Sequence, residues 1–467
     1  MYMDFPVKSY SLYAEADDIS PEGGKDNRNM TKKCILILLD GLGDRSYPLL
    51  GNRTPLQAAR TPVLDGLAAV GANGLYHASA QGLALPSENA HFSMFGYNED
   101  EFPGRGALEA LGAGISLEQD DVSVLGHLAV VKVEQGNFVL EEGKPECTEE
   151  EARELISSIA SYAVKGITVT FHRTSGLFGI VKLSGECSRF FTDSDPITHG
   201  TPVIDVMPLG GHETERTAVM AAEAMKEYHR HVYRTLKEHP VNIARRKKAQ
   251  REINFIVTQR PGQLKPVMPF RERYGFNALS IASGIVYHGL GQYLGFDIKK
   301  VRDTGDIRAD IAERMETALD LSDRYDFIHV HTKAPDEAAH KKDPMLKKHV
   351  IEELDRGLKQ AVKSLKTRHD ILTVVTADHS TPAGSLLVHS GETVPLILSG
   401  EGGRRDGVKK FNEVSAAAGC LGPVRGRELL YLILNHCDRA RLEGLRDIPA
   451  DIKFWPGRYS PMRFREE

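Results

Sequence analysis

Apolar positions along the chain follow two rhythms. Cys34-Ile-Leu-Ile-Leu-Leu39, Phe327-Ile-His-Val-His331, Ile371-Leu-Thr-Val-Val-Thr-Ala377 and Val394-Pro-Leu-Ile-Leu398 are largely apolar runs of strand length without alternation. Such runs suit strands of a parallel sheet buried on both faces. Between them apolar residues recur at helical spacing. Thr54-Pro55 and Thr61-Pro62 each read as an N-cap followed by Pro at the first helical position. The second opens a helix through Val63, Leu64, Leu67 and Ala68, and a longer one over 345–366 places Val350, Ile351, Leu354 and Leu358 on one face. A Gly-rich, polar-interrupted stretch fills 71–115. In the middle the pattern changes to short alternating strands, Leu128–Val133 and Gly179–Leu183, with helical segments near 148–164 and 214–239. The pattern therefore predicts an α/β core, 32–120 plus 275–467, with a mostly parallel sheet flanked by helices. An α+β domain over 121–274 interrupts it. Residues 1–31 are polar and aperiodic and read as an N-terminal extension outside the core.

Composition narrows the class. With 41% hydrophobic and 26% charged residues, the chain of 467 has the material for a sizeable core and is not a disordered polymer. A net charge of −5 argues against a nucleic-acid footprint. Five scattered cysteines without a C-x-x-C pair suit a reducing compartment and offer no thiolate metal site. No apolar run reaches the ~18–20 residues of a membrane span. A cytoplasmic protein is expected, with self-association left open.

Polar clusters gather where open α/β sheets place their sites, at strand ends. Asp40 follows the first run, Asp378-His379 follows the run 371–377, and Asp336-x-x-x-His340 lies just past 327–331, joined later by His389. A single Asp at a strand end is ordinarily a turn or capping residue, and a lone His such as His331 a satisfied core or surface group. Together, carboxylates and imidazoles in these places suit a pair of divalent cations. The residues alone leave both readings open.

The motifs resemble those of the alkaline phosphatase superfamily, and more closely those of cofactor-independent phosphoglycerate mutases of the archaeal type. The matching stretches are Leu39-Asp-Gly-Leu-Gly-Asp44, Thr54-Pro-Leu-Gln-Ala-Ala59, Thr61-Pro-Val-Leu-Asp65, and Ser87-Glu-Asn-Ala-His91 followed by Gly96-Tyr97. They continue with Gly104-Arg-Gly-Ala-Leu-Glu-Ala-Leu-Gly-Ala-Gly114, Lys333-Ala-Pro-Asp-Glu-Ala-Ala-His340, Thr376-Ala-Asp-His-Ser-Thr-Pro382 and His389-Ser-Gly-Glu-Thr-Val-Pro395. The resemblance implies an alkaline-phosphatase-like core with an inserted cap domain. It assigns one divalent ion (Mn²⁺ or Zn²⁺, with Mg²⁺ open) to Asp336, His340 and His389. The other goes to Asp40, Asp378, His379 and the oxygen of Ser87. Ser87 would be the nucleophile, becoming a phosphoserine while 3-phosphoglycerate and 2-phosphoglycerate, or a related phospho- or phosphono-acid, interconvert. Ser79, Ser93 and Ser380 compete for that role but read as surface or capping hydroxyls.

The insert departs from the family pattern in three places. Leu125-Gly-His-Leu128 stands where an Arg-x-Asn-Phe stretch is usual, Glu141-Glu-Gly-Lys-Pro-Glu146 replaces an Arg-rich segment, and Ile197 replaces a His. Each change removes positive charge from a site meant for a doubly anionic acid. The remaining candidates to hold a small anionic phospho-acid are Arg105, Arg173, Arg260 and Arg314, each equally readable as a solvated surface arginine. Two further readings stand beside the mutase: a phosphatase or phosphodiesterase with the same metals and serine, and a catalytically silent binding relative.

Overall fold

The computed structural model describes residues 32–455, 457 and 462–464; the N-terminal extension expected over 1–31 lies outside them. The chain runs β1 (Lys33–Leu39), β2 (Ala72–His77), β3 (Val122–Glu134), β4 (Asn137–Glu142), β5 (Ser161–Val164), β6 (Ile167–Ser175), β7 (Phe178–Ser184), β8 (Phe255–Gln263), β9 (Ala278–Ala282), β10 (Asp297–Lys300), β11 (Phe327–Thr332), β12 (Ile371–Thr376), β13 (Val394–Ser399) and β14 (Gly422–Arg425). Eight strands form one sheet in the order β10-β9-β11-β1-β12-β13-β2-β14. All its pairings are parallel except the two that β13 makes with β12 and β2. β3–β8 form a separate antiparallel sheet of six strands. The fold is thus α/β with a mostly parallel sheet, and the six strands of the second sheet all fall between β2 and β9 in sequence.

Central position explains the unbroken apolar runs. β1, β11 and β12 lie side by side and all but Lys33 of their residues are buried, so neither face tolerates polar alternation. Their register decides where the loops emerge. Leu39 pairs with Thr332 and Leu38 with Thr376, so Asp40 leaves the sheet level with Asp378.

Local elements follow the sequence with instructive differences. The hydroxyl of Thr54 caps its helix by accepting from the Gln57 amide, but Thr61 makes no such bond. There the amides of Val63 and Leu64 donate instead to the buried carboxylate of Asp355, at 3.1 and 2.9 Å. The segment near 148–164 divides into a helix, Glu149–Ser158, and β5. The Gly-rich stretch 71–115 holds β2 and two helices, Ser87–Met94 and Arg105–Gly112. Its glycines serve close packing: a Cβ on Gly112 would lie 1.9 Å from the Ile285 carbonyl oxygen of the helix Ile285–Leu294. Among the described residues no helix is long and apolar enough to cross a membrane, and the five cysteines are unpaired.

Candidate active site

Three loops meet at the ends of β1, β11 and β12. Gly41 makes their contact possible. Its φ is +66°, and a Cβ there would sit 2.7 Å from both the Cβ of Asp336 and the hydroxyl of Thr381. The Gly41 amide donates to Asp378 Oδ1 at 3.1 Å, and Leu42 and Gly43 make bridge pairings with Ser380. The turn after β1 is thereby bonded to the turn after β12.

Two overlapping groups of donor atoms result: Asp40, Asp378 and His379, and Asp336, His379 and His389. In the first, His379 Nε2 lies 3.3 Å from Asp40 Oδ1, 3.2 Å from Asp378 Oδ2 and 2.8 Å from Ser87 Oγ. A tetrahedral cation with bonds of about 2.0–2.1 Å holds its donors about 3.3–3.4 Å apart, close to the two carboxylate separations; the Ser87 contact is a hydrogen bond. In the second, His389 Nε2 lies 3.8 Å from Asp336 Oδ1; His340, outside that group, places its Nε2 3.3 Å from the same oxygen. All seven residues assigned from the resemblance therefore converge, with His379 shared between the groups.

The chemistry of the donors fits a cation. Among the described residues Asp40 Oδ1 and Asp378 Oδ2 are buried without a hydrogen-bond partner, both facing the gap beside His379. Burial and the neighbouring Asp40 carboxylate push Asp378 well above the usual range. Burial also acts on Asp40, but the hydrogen bond from His331 and the surrounding imidazoles hold it well below. Two buried carboxylates so close cannot both ionise without a positive charge between them. Burial lowers His379 to about 4, so it is a neutral imidazole at pH 7, the ligand form.

Neighbours fix which atoms face the gap. Tyr287 Oη and His331 Nε2 donate to Asp40 Oδ2 at 2.8 and 3.0 Å, leaving Oδ1 free. The Thr381 hydroxyl donates to Asp336 Oδ1 at 2.7 Å, so its contact of 3.1 Å with His379 Nδ1 accepts the ring proton. That places the lone pair of His379 on Nε2, toward Ser87. His389 Nδ1 donates to the Leu85 carbonyl at 2.7 Å and turns Nε2 toward Asp336. These are the outer partners a ligating histidine or carboxylate requires. None of Tyr287, His331 and Thr381 stood out as a functional residue in the sequence. The one available signal was His329-x-His331 in an otherwise apolar central strand.

Ser87 is the first residue of its helix, with Pro86 at the N-cap. Its helix continues with Glu88, which is buried between two arginines, 2.8 Å from Arg260 and 3.4 Å from Arg105. A cavity of about 720 Å³ opens beside this turn, walled by Pro86, Glu88, Asn89, Arg105, Arg189 and Arg260 among others. Arg260 has a φ of +55°, strained for a long side chain, and its amide donates to Asp193 Oδ1 at 2.6 Å. Arg105 and Arg260 are thus brought onto Glu88, the residue after Ser87. The other two arginines are not. Arg173 makes two bonds to Glu149, at 2.5 and 2.6 Å. Arg314 is buried, donating to the His331 carbonyl at 2.7 Å and to Asp303. It braces β11 from beneath and has no open face to offer a substrate. Arg189, unnoticed in the sequence, lines the cavity and donates to the Phe102 carbonyl at 3.0 Å. Ile197 is 76% exposed. Of the competing serines, Ser93 donates to the Ala78 carbonyl and Ser380, next to His379, is bonded to the Ser390 hydroxyl.

A mostly parallel sheet whose strand-end loops gather two carboxylate–imidazole groups, with a serine against the histidine they share, defines an α/β protein with a polar site at its strand ends. The family model for 2,3-bisphosphoglycerate-independent phosphoglycerate mutase matches residues 68–242. The chain is 40% identical over 424 residues to 2,3-bisphosphoglycerate-independent phosphoglycerate mutase 2 of Methanocaldococcus jannaschii, covering 89% of this chain and 95% of that one. It is 34% identical to the mutase of Methanopyrus kandleri, over 88% and 97% of the two chains. The solved cofactor-independent phosphoglycerate mutase of Thermoplasma acidophilum superposes with a TM-score of 0.62 at 29% identity, over 87% and 100% of the chains. A solved protein of Pyrococcus horikoshii superposes at 0.74 and 27%, over 89% and 100%. The chain belongs to the 2,3-bisphosphoglycerate-independent phosphoglycerate mutase family.

Proposed function

We propose that the protein is a metal-dependent phosphotransferase that interconverts 3-phosphoglycerate and 2-phosphoglycerate through a phosphoserine at Ser87. The observation that carries this reading is the contact of Ser87 Oγ with His379 Nε2, at the point where the unpartnered oxygens of Asp40 and Asp378 meet. The names of the relatives support the mutase outcome. Asp40, Asp378, His379 and Ser87 would hold one divalent cation, and Asp336, His340 and His389 the other. When bound, such cations lower the pKa of a serine hydroxyl and offset the charge that develops in phosphoryl transfer.

The chain's own groups do the rest. Tyr287 and His331 aim Asp40, and Thr381 aims both Asp336 and His379. Ser87 Oγ, held at the helix start, would attack phosphorus in line; the Oγ–P bond forms as the ester O–P bond breaks, and the serine's proton ends on the departing oxygen, giving a free hydroxyl on the acid. Arg105, Arg189 and Arg260 line that cavity and supply the cationic surface for the acid's phosphate and carboxylate. Transfer back from phosphoserine to the other hydroxyl completes the cycle, provided the dephosphorylated acid stays bound. We assign the span 121–274 the part of a cap that keeps water out during that interval.

The test is incubation of metal-loaded enzyme with 3-phosphoglycerate. The reading requires 2-phosphoglycerate as product. Release of inorganic phosphate from it and from generic esters would favour the phosphatase, and no turnover with any added divalent ion the silent relative.

A further inference from the structure

A charged pair that no step above uses lies wholly buried under the metal loops. Lys347 and Asp44 have side chains with no exposure, and their charged atoms are 3.1 Å apart. Lys347 Nζ also donates to the carbonyl oxygens of Gly43 and Thr381, each at 2.8 Å. An ammonium has three donors and no acceptor, so these three contacts saturate it. Asp44 is equally committed: it accepts from the amides of Arg45 and Ala383 and from the Tyr47 hydroxyl.

The partners come from separate segments. Gly43 and Asp44 lie on the loop that carries Asp40, and Thr381 on the loop that carries Asp378 and His379. Lys347 is in the first turn of the helix Pro344–Leu365, which follows directly on the helix Ala334–His340 bearing Asp336 and His340. One nitrogen atom thus joins all three ligand-bearing segments. The link is short: the residue whose carbonyl accepts from Lys347, Thr381, uses its own hydroxyl to bond Asp336 and His379.

Stability alone is a poor account of such a pair, since apolar residues of similar volume commonly serve a core as well or better. Its distinctive property is direction: three bonds at fixed angles to three segments. We infer that Lys347 and Asp44 are positioning residues that hold the ligand loops in register for binding of both cations. This rests on reading the two donor groups as metal sites.

The experiment measures binding rather than turnover. Metal-stripped wild type, Lys347→Met and the double variant Lys347→Met with Asp44→Asn are titrated with Mn²⁺, free ion being followed by electron paramagnetic resonance. Melting of each metal-free protein is recorded in parallel. Lys347→Met leaves a buried carboxylate unpaired and lowers the melting temperature; the neutral double variant recovers much of it. Both should bind Mn²⁺ about 10-fold more weakly than wild type, the low end of the cost of losing an outer partner of a metal ligand, since Lys347 acts through Thr381. Recovered stability with affinity still reduced is the signature a merely structural pair would not give. Wild-type affinity in either folded variant overturns the inference. So does failure of both to fold, which would make the pair part of the core's folding and nothing more. Absence of Mn²⁺ binding by the wild type would instead bring down the metal reading underneath.

Discussion

The strand-end loops and the arginine-lined cavity meet at the turn that carries Ser87 but are built on opposite terms. Asp40 and Asp378 are completely buried, each held by bonds from other segments. Arg105 and Arg260 retain side-chain exposures of 29% and 40% and rest on one shared carboxylate, Glu88. Short, buried ligands sewn to the backbone permit one geometry. Long cationic side chains at an open wall accommodate more than one acid. The two regions therefore tolerate change differently: a substitution among the buried carboxylates disturbs buried bonds to other segments, whereas one at the arginines disturbs partly exposed ion pairs with Glu88.

Five substitutions test that contrast. Ser87→Ala should cost the most, at least about 10³-fold in kcat, because no neighbouring hydroxyl can take the phosphoryl group. Its unfolding free energy should stay within about 0.5 kcal/mol of wild type, since Ser87 makes no side-chain cap. Asp378→Asn comes next: metal analysis should show one ion missing per chain, with activity down by more than about 100-fold, beyond the cost of an outer partner.

At the cavity wall, Arg260→Ala should lower kcat/KM by about 1.5–3 kcal/mol, the value of a hydrogen bond to a charged group, without changing metal content. Arg173→Ala is the control. It should leave kcat/KM within about twofold and cost at most about 1 kcal/mol of stability, since its partner Glu149 is 73% exposed. Equal effects at the two arginines would erase the distinction drawn here.

The smallest effect concerns pH. Burial pushes the Glu413 carboxyl from its ordinary 4.5 up to about 7. The folded state then holds a proton that the unfolded state releases, so this group's stabilisation is complete below pH 4.5 and is lost as pH rises through 7. Glu413→Gln should flatten that part of the stability curve in denaturant titrations between pH 4.5 and 7. An unchanged slope would mean that Glu413 is ionised in the fold.

The same contrast explains what could be read from the chain. Asp40 and Asp378-His379 were legible because they directly follow runs too apolar to be anything but central strands. Asp336 and His340 were legible because they lie just past another such run, 327–331. Arginines carry no such address: charge is visible in sequence, direction is not. Arg314 nonetheless held a clue, lying between Ile311, Met315 and Ala318 on the stripe its helix buries. Lys347 held the same one, three and four residues before Val350 and Ile351 on a buried face. Tyr287 gave none, because its meeting with Asp40 is made by tertiary packing across 247 residues of sequence.

The central claim is that Ser87 carries the phosphoryl group, and the direct measurement is to trap it. Metal-loaded enzyme is mixed with 3-phosphoglycerate labelled in its phosphate, quenched in acid during turnover, digested and mapped by mass spectrometry. The account predicts label on the peptide containing Ser87, appearing at a rate no slower than turnover. Label on another residue, or full activity with no labelled peptide, would contradict it and transfer the chemistry to direct attack by water.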